Sequence, residues 1–152
     1  MVPNMMKIMG NSPALLEGAL NLADALNGGS LGPQTGELIA LAVAESNSCN
    51  YCLSAHTFVG ANILKMDAET IKAARKGNAA DAKTDAVLKF AKLLVEKRGS
   101  MNDADVSAAL SAGISQGEVG EIIGHVAFNT LTNYFNKTAQ TELDHHLVAQ
   151  GA

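Results

Sequence analysis

The sequence predicts an all-α protein with a single domain of about seven helices. Ala and Leu are abundant and Pro occurs only 3 times in 152 residues, a composition that favours helices over strands. Apolar side chains recur at intervals of three and four residues, which is the period of an amphipathic helix. No stretch alternates apolar and polar residues as a half-buried strand does, and the 47% of apolar residues suffices for a core without disulfide bonds.

An N-cap, a proline and a polar turn predict where the first three helices begin and end. Ser12-Pro13 places a good N-cap before a proline at the first helical position, and Gly28-Gly29 ends that helix. Pro33 begins the second helix, which is almost wholly apolar over residues 38–44 and should therefore be buried on most sides. The polar run Ser46-Asn47-Ser48 indicates a turn, and its last residue is the expected N-cap of the third helix.

The other four helices each begin at a polar side chain. Asp67 and Asp81 are the expected N-caps of the fourth and fifth helices, and Asn102-Asp103 begins the sixth. Ser115-x-x-Glu118 has the spacing of a capping box at the start of a long seventh helix. The limits expected for the seven helices are 13–28, 33–47, 49–65, 67–77, 81–98, 103–113 and 115–135.

Residues 1–11 precede the first predicted helix and contain four Met residues. We expect them to form a loose N-terminal arm that is either disordered or packed on a partner subunit. Residues 12–152 then form the helical domain.

Charge and hydropathy argue against two classes of partner. The net charge is −4 and the charged residues are scattered, whereas nucleic-acid-binding proteins present a basic patch. No run approaches the roughly 18 apolar residues of a membrane span. The N-terminal residues lack the apolar region and cleavage site of a secretory signal, so we expect a cytoplasmic protein that binds neither nucleic acid nor a membrane.

The chemically capable side chains gather between Glu37 and His56. Cys49 and Cys52 have C-x-x-C spacing, and His56 follows Cys52 by one helical turn. On one helix these three side chains lie within roughly 60° of each other. The first turn of a helix favours an anion, so a thiolate should form more easily there than in free cysteine, whose pKa is about 8.5. Because His56 can take the thiol proton, the pattern indicates a dithiol redox centre.

Two upstream carboxylates would join this centre if the second and third helices pack antiparallel around their short turn. Glu37 then lies within a turn of His56 and can orient or charge it, and a carboxylate in so apolar a helix is costly unless it is paired. By the same rule Glu45 lies opposite Tyr51 and Cys52. Glu45 is thus either a neighbour of the thiols or simply a solvated helix end.

Two other uses of the cysteines fit the sequence less well. A structural zinc site usually takes four ligands, and a second ligand pair with familiar spacing is absent. Inert core cysteines would not need to share a helix face with His56. We therefore expect neither a metal nor a bound cofactor.

The run E-x11-C-x-Y-C-x3-H, from Glu37 to His56, resembles the signature of the AhpD-like alkylhydroperoxidases of the carboxymuconolactone decarboxylase superfamily. The run HVAFNTLTNYFNKTAQTELD, residues 125–144, resembles the closing helix of small AhpD-like proteins, and the likeness extends from about Gly32 onwards. It implies an all-α fold, a trimeric or hexameric homo-oligomer, and a peroxidase that reduces a hydroperoxide substrate. An external thiol reductant, either a thioredoxin-like or a lipoyl-bearing protein, would restore the thiols.

The resemblance also implies a role for each residue of the motif. Cys52 matches the peroxidatic cysteine and Cys49 the resolving one, and His56 and Glu37 match the proton relay. Tyr51 is a departure, since the best-known members have His there. A phenol with a pKa of about 10 cannot shuttle protons near neutral pH, although it can donate a hydrogen bond to a thiolate or a peroxide oxygen.

Two rival functions remain. Decarboxylation of a muconolactone-like acid occurs on the same fold but does not depend on a C-x-x-C pair, so the two cysteines argue against it. A redox sensor or thiol–disulfide exchange protein without peroxide turnover would use the same dithiol, and the sequence does not separate it from a peroxidase.

Overall fold

The computed structural model describes residues 2–151, and these form eight α-helices and no strand. The helices are α1 (Asn4–Met9), α2 (Pro13–Asn27), α3 (Gly32–Ser46), α4 (Asn50–Phe58), α5 (Ala68–Arg75), α6 (Ala82–Glu96), α7 (Asp103–Ser111) and α8 (Gln116–Ala139). A single π-helical turn, Val59–Ile63, continues α4. The predicted all-α fold is confirmed. Met1 and Ala152, which the expected arm and domain include, lie outside the described residues.

Helix α3 lies at the centre of the fold. Every residue of its apolar run 38–44 is buried, and α4, α5, α6 and α8 all pack against it. Gly36 in its first turns lies against the ring of His125 in α8, and a Cβ there would come within 2.7 Å of the ring. The glycine therefore lets α8 approach α3 closely, one residue before Glu37. The central helix and the long C-terminal helix are in this way held together beside the candidate site.

Side-chain caps begin five helices where the sequence predicts them. The caps are Ser12 for α2, Asp67 for α5, Asp81 for α6, Asn102 for α7 and Ser115 for α8. Each accepts a hydrogen bond from the backbone N–H three residues further on, which satisfies one of the free donors of the first turn. In α8 the reciprocal bond from Ser115 N–H to Glu118 completes the predicted capping box.

The expectation of a loose N-terminal arm is not met by the described residues. Residues 4–9 form α1, and its last residue, Met9, is 1% exposed. The helix is anchored by long-range bonds, since Asn4 N–H donates to the carboxylate of Asp144, 3.1 Å away. A helix this short is marginal alone and depends on such tertiary contacts, which the local sequence does not reveal.

Several helix limits also differ from the prediction. The third predicted helix, 49–65, is α4 followed by the π-helical turn that ends at Ile63. The N-cap of α4 is Cys49 and not Ser48, because Ser48 has a left-handed φ of 54° and belongs to the turn. Helix α8 continues to Ala139, four residues past its expected end, before Gln140 breaks it with a left-handed φ of 49°. None of the helices in residues 2–151 is long and apolar enough to cross a membrane.

Candidate functional site

Helices α3 and α4 form the predicted antiparallel hairpin around a turn at residues 47–49. The turn is tight because Ser48 adopts a left-handed backbone. Helix α8 holds it in place from outside the hairpin. The Asn47 side-chain amide donates to Asn133 Oδ1 at 3.0 Å, and the Lys137 ammonium donates to the Asn47 carbonyl at 2.9 Å.

Cys49 and Cys52 are joined by a disulfide at the N-terminal end of α4, with their Cα atoms 5.3 Å apart. Cys49 is itself the N-cap, and its Sγ accepts a hydrogen bond from Cys52 N–H at 3.3 Å. Both residues are buried, with 1% and 3% of their surfaces exposed. On reduction, the Cys49 sulfur would occupy the position where a helix end best accommodates an anion.

The predicted contact between Glu37 and His56 is present. Glu37 Oε1 lies 2.8 Å from His56 Nδ1, and the two side chains are 13% and 25% exposed. An ionised carboxylate can only accept, so it fixes the imidazole proton on Nδ1 and leaves Nε2 to exchange protons.

The pKa of His56 reflects two opposing influences. Burial lowers it, but the negative charge of Glu37 and the hydrogen bond to that carboxylate outweigh burial, and the net pKa lies above the ordinary value of 6.5. His56 is thus easier to protonate in the folded chain than an isolated imidazole.

The Tyr51 hydroxyl bonds to two groups of the terminal segments and to neither sulfur atom. The phenol donates to Asp144 Oδ2 at 2.5 Å and accepts from Met5 N–H at 3.2 Å. Burial and the bond to Asp144 raise the pKa of Tyr51 to about 12. The expected role of donor to a thiolate or peroxide is therefore not seen, since the phenol proton is already given to a carboxylate.

Glu45 fits neither position expected for it. Its carboxylate binds Arg75 Nη2 at 2.8 Å and accepts Gly151 N–H at 2.7 Å. Arg75 is only 8% exposed, and its Nη2 also donates to the Ala149 carbonyl at 2.7 Å. A buried guanidinium requires a carboxylate partner. Glu45 therefore bonds to Arg75 and to the Gly151 N–H instead of to a thiol or to solvent.

The sequence over residues 13–96, more than half of the chain, matches the model of the carboxymuconolactone decarboxylase family. The chain belongs to the carboxymuconolactone decarboxylase family. The matched span contains Glu37, both cysteines and His56. The family and the disulfide together fit a redox role for the C-x-x-C pair and suggest an enzyme, although decarboxylases belong to the same family.

Two solved structures share the fold. One is an uncharacterised peroxidase-related protein from Silicibacter sp. TM1040, with a TM-score of 0.83 and 23% identity over 93% of this chain and 76% of that one. The other is an uncharacterised peroxidase-related protein from Ralstonia eutropha JMP134 with an alkylhydroperoxidase AhpD core, with a TM-score of 0.74 and 24% identity over 95% and 78% of the two chains. At these identities the likeness establishes the AhpD-like fold alone. No curated protein sequence is significantly similar to the chain.

In this family member the disulfide lies under a terminal cover, which we define as α1 together with residues 140–151. Met5 and Val148 from the cover pack against the cluster that contains both cysteines. The Val148 N–H donates to Ser54 Oγ at 2.8 Å, which ties the C-terminal segment to α4. An open surface pocket of about 340 Å³ lies between Cys49 and residues of this segment.

Sequence reasoning missed one further residue at the sulfur atoms. Asn136 Nδ2 in α8 lies 3.5 Å from Cys52 Sγ. The sequence does indicate that these asparagines are unusual, because Asn129, Asn133 and Asn136 share one face of a helix. The other buried positions of that helix include Ile122 and Val126. In residues 2–151 no cluster of three or more His, Cys, Asp or Glu side chains is arranged to hold a metal ion.

Proposed function

We propose that the protein is a thiol-dependent hydroperoxide reductase in which Cys49 and Cys52 cycle between dithiol and disulfide. The observation that carries the proposal is one helical hairpin holding a C-x-x-C disulfide and, one turn along α4, a histidine bound to a carboxylate. Family membership and the peroxidase-related neighbours support the same function. A binding protein or a purely structural domain would need neither the disulfide nor the ion pair.

In the proposed reaction the Cys52 thiolate attacks one peroxide oxygen of a hydroperoxide. The O–O bond breaks, the alkoxide leaves, and Cys52 becomes a sulfenic acid. The Cys49 thiol then attacks the Cys52 sulfur, forming the disulfide and releasing water. One hydroperoxide and two thiols thus become one alcohol, one water and one disulfide, so atoms and electrons balance.

The proposed relay of Glu37 and His56 moves the proton of the first step, whereas in the second step the Cys49 thiol proton joins the hydroxide that leaves Cys52 as water. His56 takes the proton of the Cys52 thiol at Nε2 and later gives it to the departing alkoxide. Glu37 holds the imidazole in one tautomer and stabilises the imidazolium, as its 2.8 Å contact and its effect on the His56 pKa support.

The disulfide must be reduced again by an external dithiol, for which a thioredoxin-like or lipoyl-bearing protein has the required chemistry. Attack of one external thiolate gives a mixed disulfide, and the second external thiol releases the enzyme dithiol. The cytoplasm, where such reductants keep thiols reduced, is the proposed location.

A trimeric or hexameric homo-oligomer is also part of the proposal. Helix α2 is rich in leucine but buries only Ala19 and Leu26. Leu20 on α2 and Ile123 and Tyr134 on α8 are 44%, 48% and 59% exposed. Apolar side chains left uncovered on two helices support an interface with further copies. Sedimentation equilibrium would give the subunit number, and a monomer would remove this part of the proposal.

The test is consumption of cumene hydroperoxide in the presence of excess dithiothreitol. We expect catalytic turnover by the wild type and its loss in Cys52→Ser, whereas Cys49→Ser, assayed without the dithiol, should consume one equivalent of peroxide. If the wild type consumes peroxide no faster than Cys52→Ser, the peroxidase proposal is wrong. A single stoichiometric oxidation without turnover would instead indicate a redox sensor or exchange protein.

A further inference from the structure

Three buried asparagines lie along one face of helix α8, and the last of them is next to the disulfide. Asn129, Asn133 and Asn136 are 3%, 0% and 3% exposed. The first two bond to ordinary amide groups. Asn129 Nδ2 donates to the His125 carbonyl, and Asn133 Oδ1 accepts from the Asn47 side chain. Asn136 differs because its Nδ2 faces two sulfur atoms.

The amide of Asn136 is oriented by the chemistry of those sulfurs. Its Nδ2 lies 3.1 Å from Met5 Sδ and 3.5 Å from Cys52 Sγ. A thioether and a disulfide sulfur have no proton to give, so the N–H end of the amide must face them. At the other end, Asn136 Oδ1 is buried and has no hydrogen-bond partner among the described residues.

Burying this amide is costly in the oxidised state. Neutral sulfur is a weak acceptor, and an unpaired carbonyl oxygen in the interior costs about 1–3 kcal/mol. A leucine of similar size would fill the same space without that cost. The benefit of the amide should therefore arise in another state of the protein, in which a sulfur atom is a strong acceptor.

We infer that Asn136 is a catalytic hydrogen-bond donor that stabilises the Cys52 thiolate of the reduced protein. A thiolate carries a full negative charge, so its bond to Nδ2–H is stronger than that of a disulfide sulfur. A hydrogen bond to the charged form shifts ionisation towards that form. The inference rests on the proposed function for the reaction it serves, whereas the hydrogen bond itself does not depend on the oxidant.

The donor also distinguishes Cys52 from Cys49. Cys49 Sγ receives the backbone N–H of Cys52 at the helix N-cap, which by itself would concentrate negative charge on Cys49. Asn136 supplies Cys52 with a donor of its own, 3.5 Å away. The two sulfurs therefore have separate donors, and only the one at Cys52 comes from a side chain that mutation can remove.

Most ionisable groups on the surrounding elements are engaged with other partners. Besides the two cysteines, the engaged groups are Tyr51 and His56 on α4, Glu37 and Glu45 on α3, Lys137 on α8, Asp144 on the C-terminal segment and Lys7 on α1. The C-terminal segment also carries Glu142, His145 and His146, and the His145 ring stacks on Phe58. His56 is four residues from Cys52 and is the group that exchanges a proton with it in the proposed reaction. Substitution of Asn136 leaves all of these bonds in place, so its effect on Cys52 is separable from theirs.

The test is the thiolate absorbance of single-cysteine proteins as a function of pH. In Cys49→Ser, which retains Cys52, adding Asn136→Leu should raise the titration midpoint by about one pH unit, as loss of a hydrogen bond to a charged group implies. In Cys52→Ser, which retains Cys49, the same change should leave the midpoint where it was. Asn129→Leu is the matched control, because it removes a buried amide from the same helix face without touching a sulfur.

Asn136→Asp provides a second variant of nearly the same shape. It replaces the donor by an acceptor and should raise the Cys52 midpoint at least as far as Asn136→Leu. The inference is overturned if the folded variant leaves the Cys52 midpoint unchanged, or if the Cys49 midpoint moves equally. The titration needs no peroxide, so a shift in a protein without turnover would retain the Asn136 inference and reject the peroxidase. Turnover without a shift would do the reverse.

Discussion

At its N-terminal end, helix α4 buries the disulfide of Cys49 and Cys52, whereas at its C-terminal end it leaves 25% of the His56 side chain exposed. The sulfur atoms are enclosed by α8 and by the terminal cover, which come from distant parts of the chain. His56 needs only Glu37 from the neighbouring helix of the same hairpin. One helix thus joins an enclosed redox pair to a proton carrier that solvent can reach.

This difference in burial between the disulfide and His56 matches two separate requirements of the proposed chemistry. A sulfenic acid survives until it meets the second thiol only if other reactants are kept away, and a buried position achieves this. A proton carrier must instead exchange with water between turnovers. Substitution of His56 should accordingly have a larger effect than loosening the cover over the sulfur atoms.

The largest effect should come from replacing the proton carrier. His56→Asn keeps a polar side chain but removes the group that titrates near neutral pH, so peroxide turnover should fall by roughly a hundredfold. Steady-state peroxide consumption measures this. His146→Asn is the control, since His146 is an exposed residue of the C-terminal segment. Equal loss in both variants, or none in His56→Asn, would contradict the proposed relay.

A smaller effect should follow from Glu37→Gln, which removes the charge that raises the His56 pKa. Because the folded pKa lies above the unfolded value of 6.5, protonation of His56 favours the folded state. The stabilisation from the ion pair is fully present below pH 6.5 and is lost as the pH rises through the raised folded pKa. Below that window the variant should lose about 2 kcal/mol of unfolding free energy.

Urea unfolding at a series of pH values measures the loss in Glu37→Gln, and imidazole NMR shifts give the His56 pKa directly. Glu17→Gln, which removes an exposed carboxylate on α2, should show neither change. A stability difference that grows with rising pH would have the wrong sign for this pair.

The two ends of α4 also differ in how much of their surroundings can be predicted from the sequence. The Glu37–His56 contact is predictable because a carboxylate in an apolar helix needs a partner, and a hairpin with a short turn offers few. The N-caps of α2, α5, α6, α7 and α8 are predictable because each depends on a backbone group only three residues away. These features rest on local periodicity and on one short connection.

The enclosed end depends on partners that no local pattern identifies. Asn4 bonds to Asp144 across 140 positions, and Glu45 bonds to Arg75 across 30. Neither partner has a distinctive spacing from the motif. The sequence therefore suggests Tyr51 as a donor to a thiolate or peroxide, and Glu45 as either a neighbour of the thiols or a solvated helix end. The structure instead assigns their polar atoms to the terminal cover and to Arg75.

The smallest effect should come from loosening the terminal cover without touching the sulfur atoms. Tyr51→Phe removes the hydroxyl that joins Asp144 to Met5 N–H, and the loss of these bonds should weaken the cover by about 1 kcal/mol. Local opening would then be about five times more frequent, so a small phosphine should reduce the disulfide about five times faster. Tyr134→Phe, at a tyrosine that is 59% exposed, is the matched control and should react at the wild-type rate.

The Tyr51→Phe acceleration should also be insensitive to pH once the reactivity of the phosphine is corrected. With a pKa of about 12, the wild-type phenol stays neutral from about pH 6 to 9, so its bonds to the cover do not titrate there. Equal reduction rates in Tyr51→Phe and the wild type would mean that reagents reach the disulfide without displacing the cover. Enclosure would then control which molecules fit beside the sulfurs, and opening of the cover would have no part in reduction.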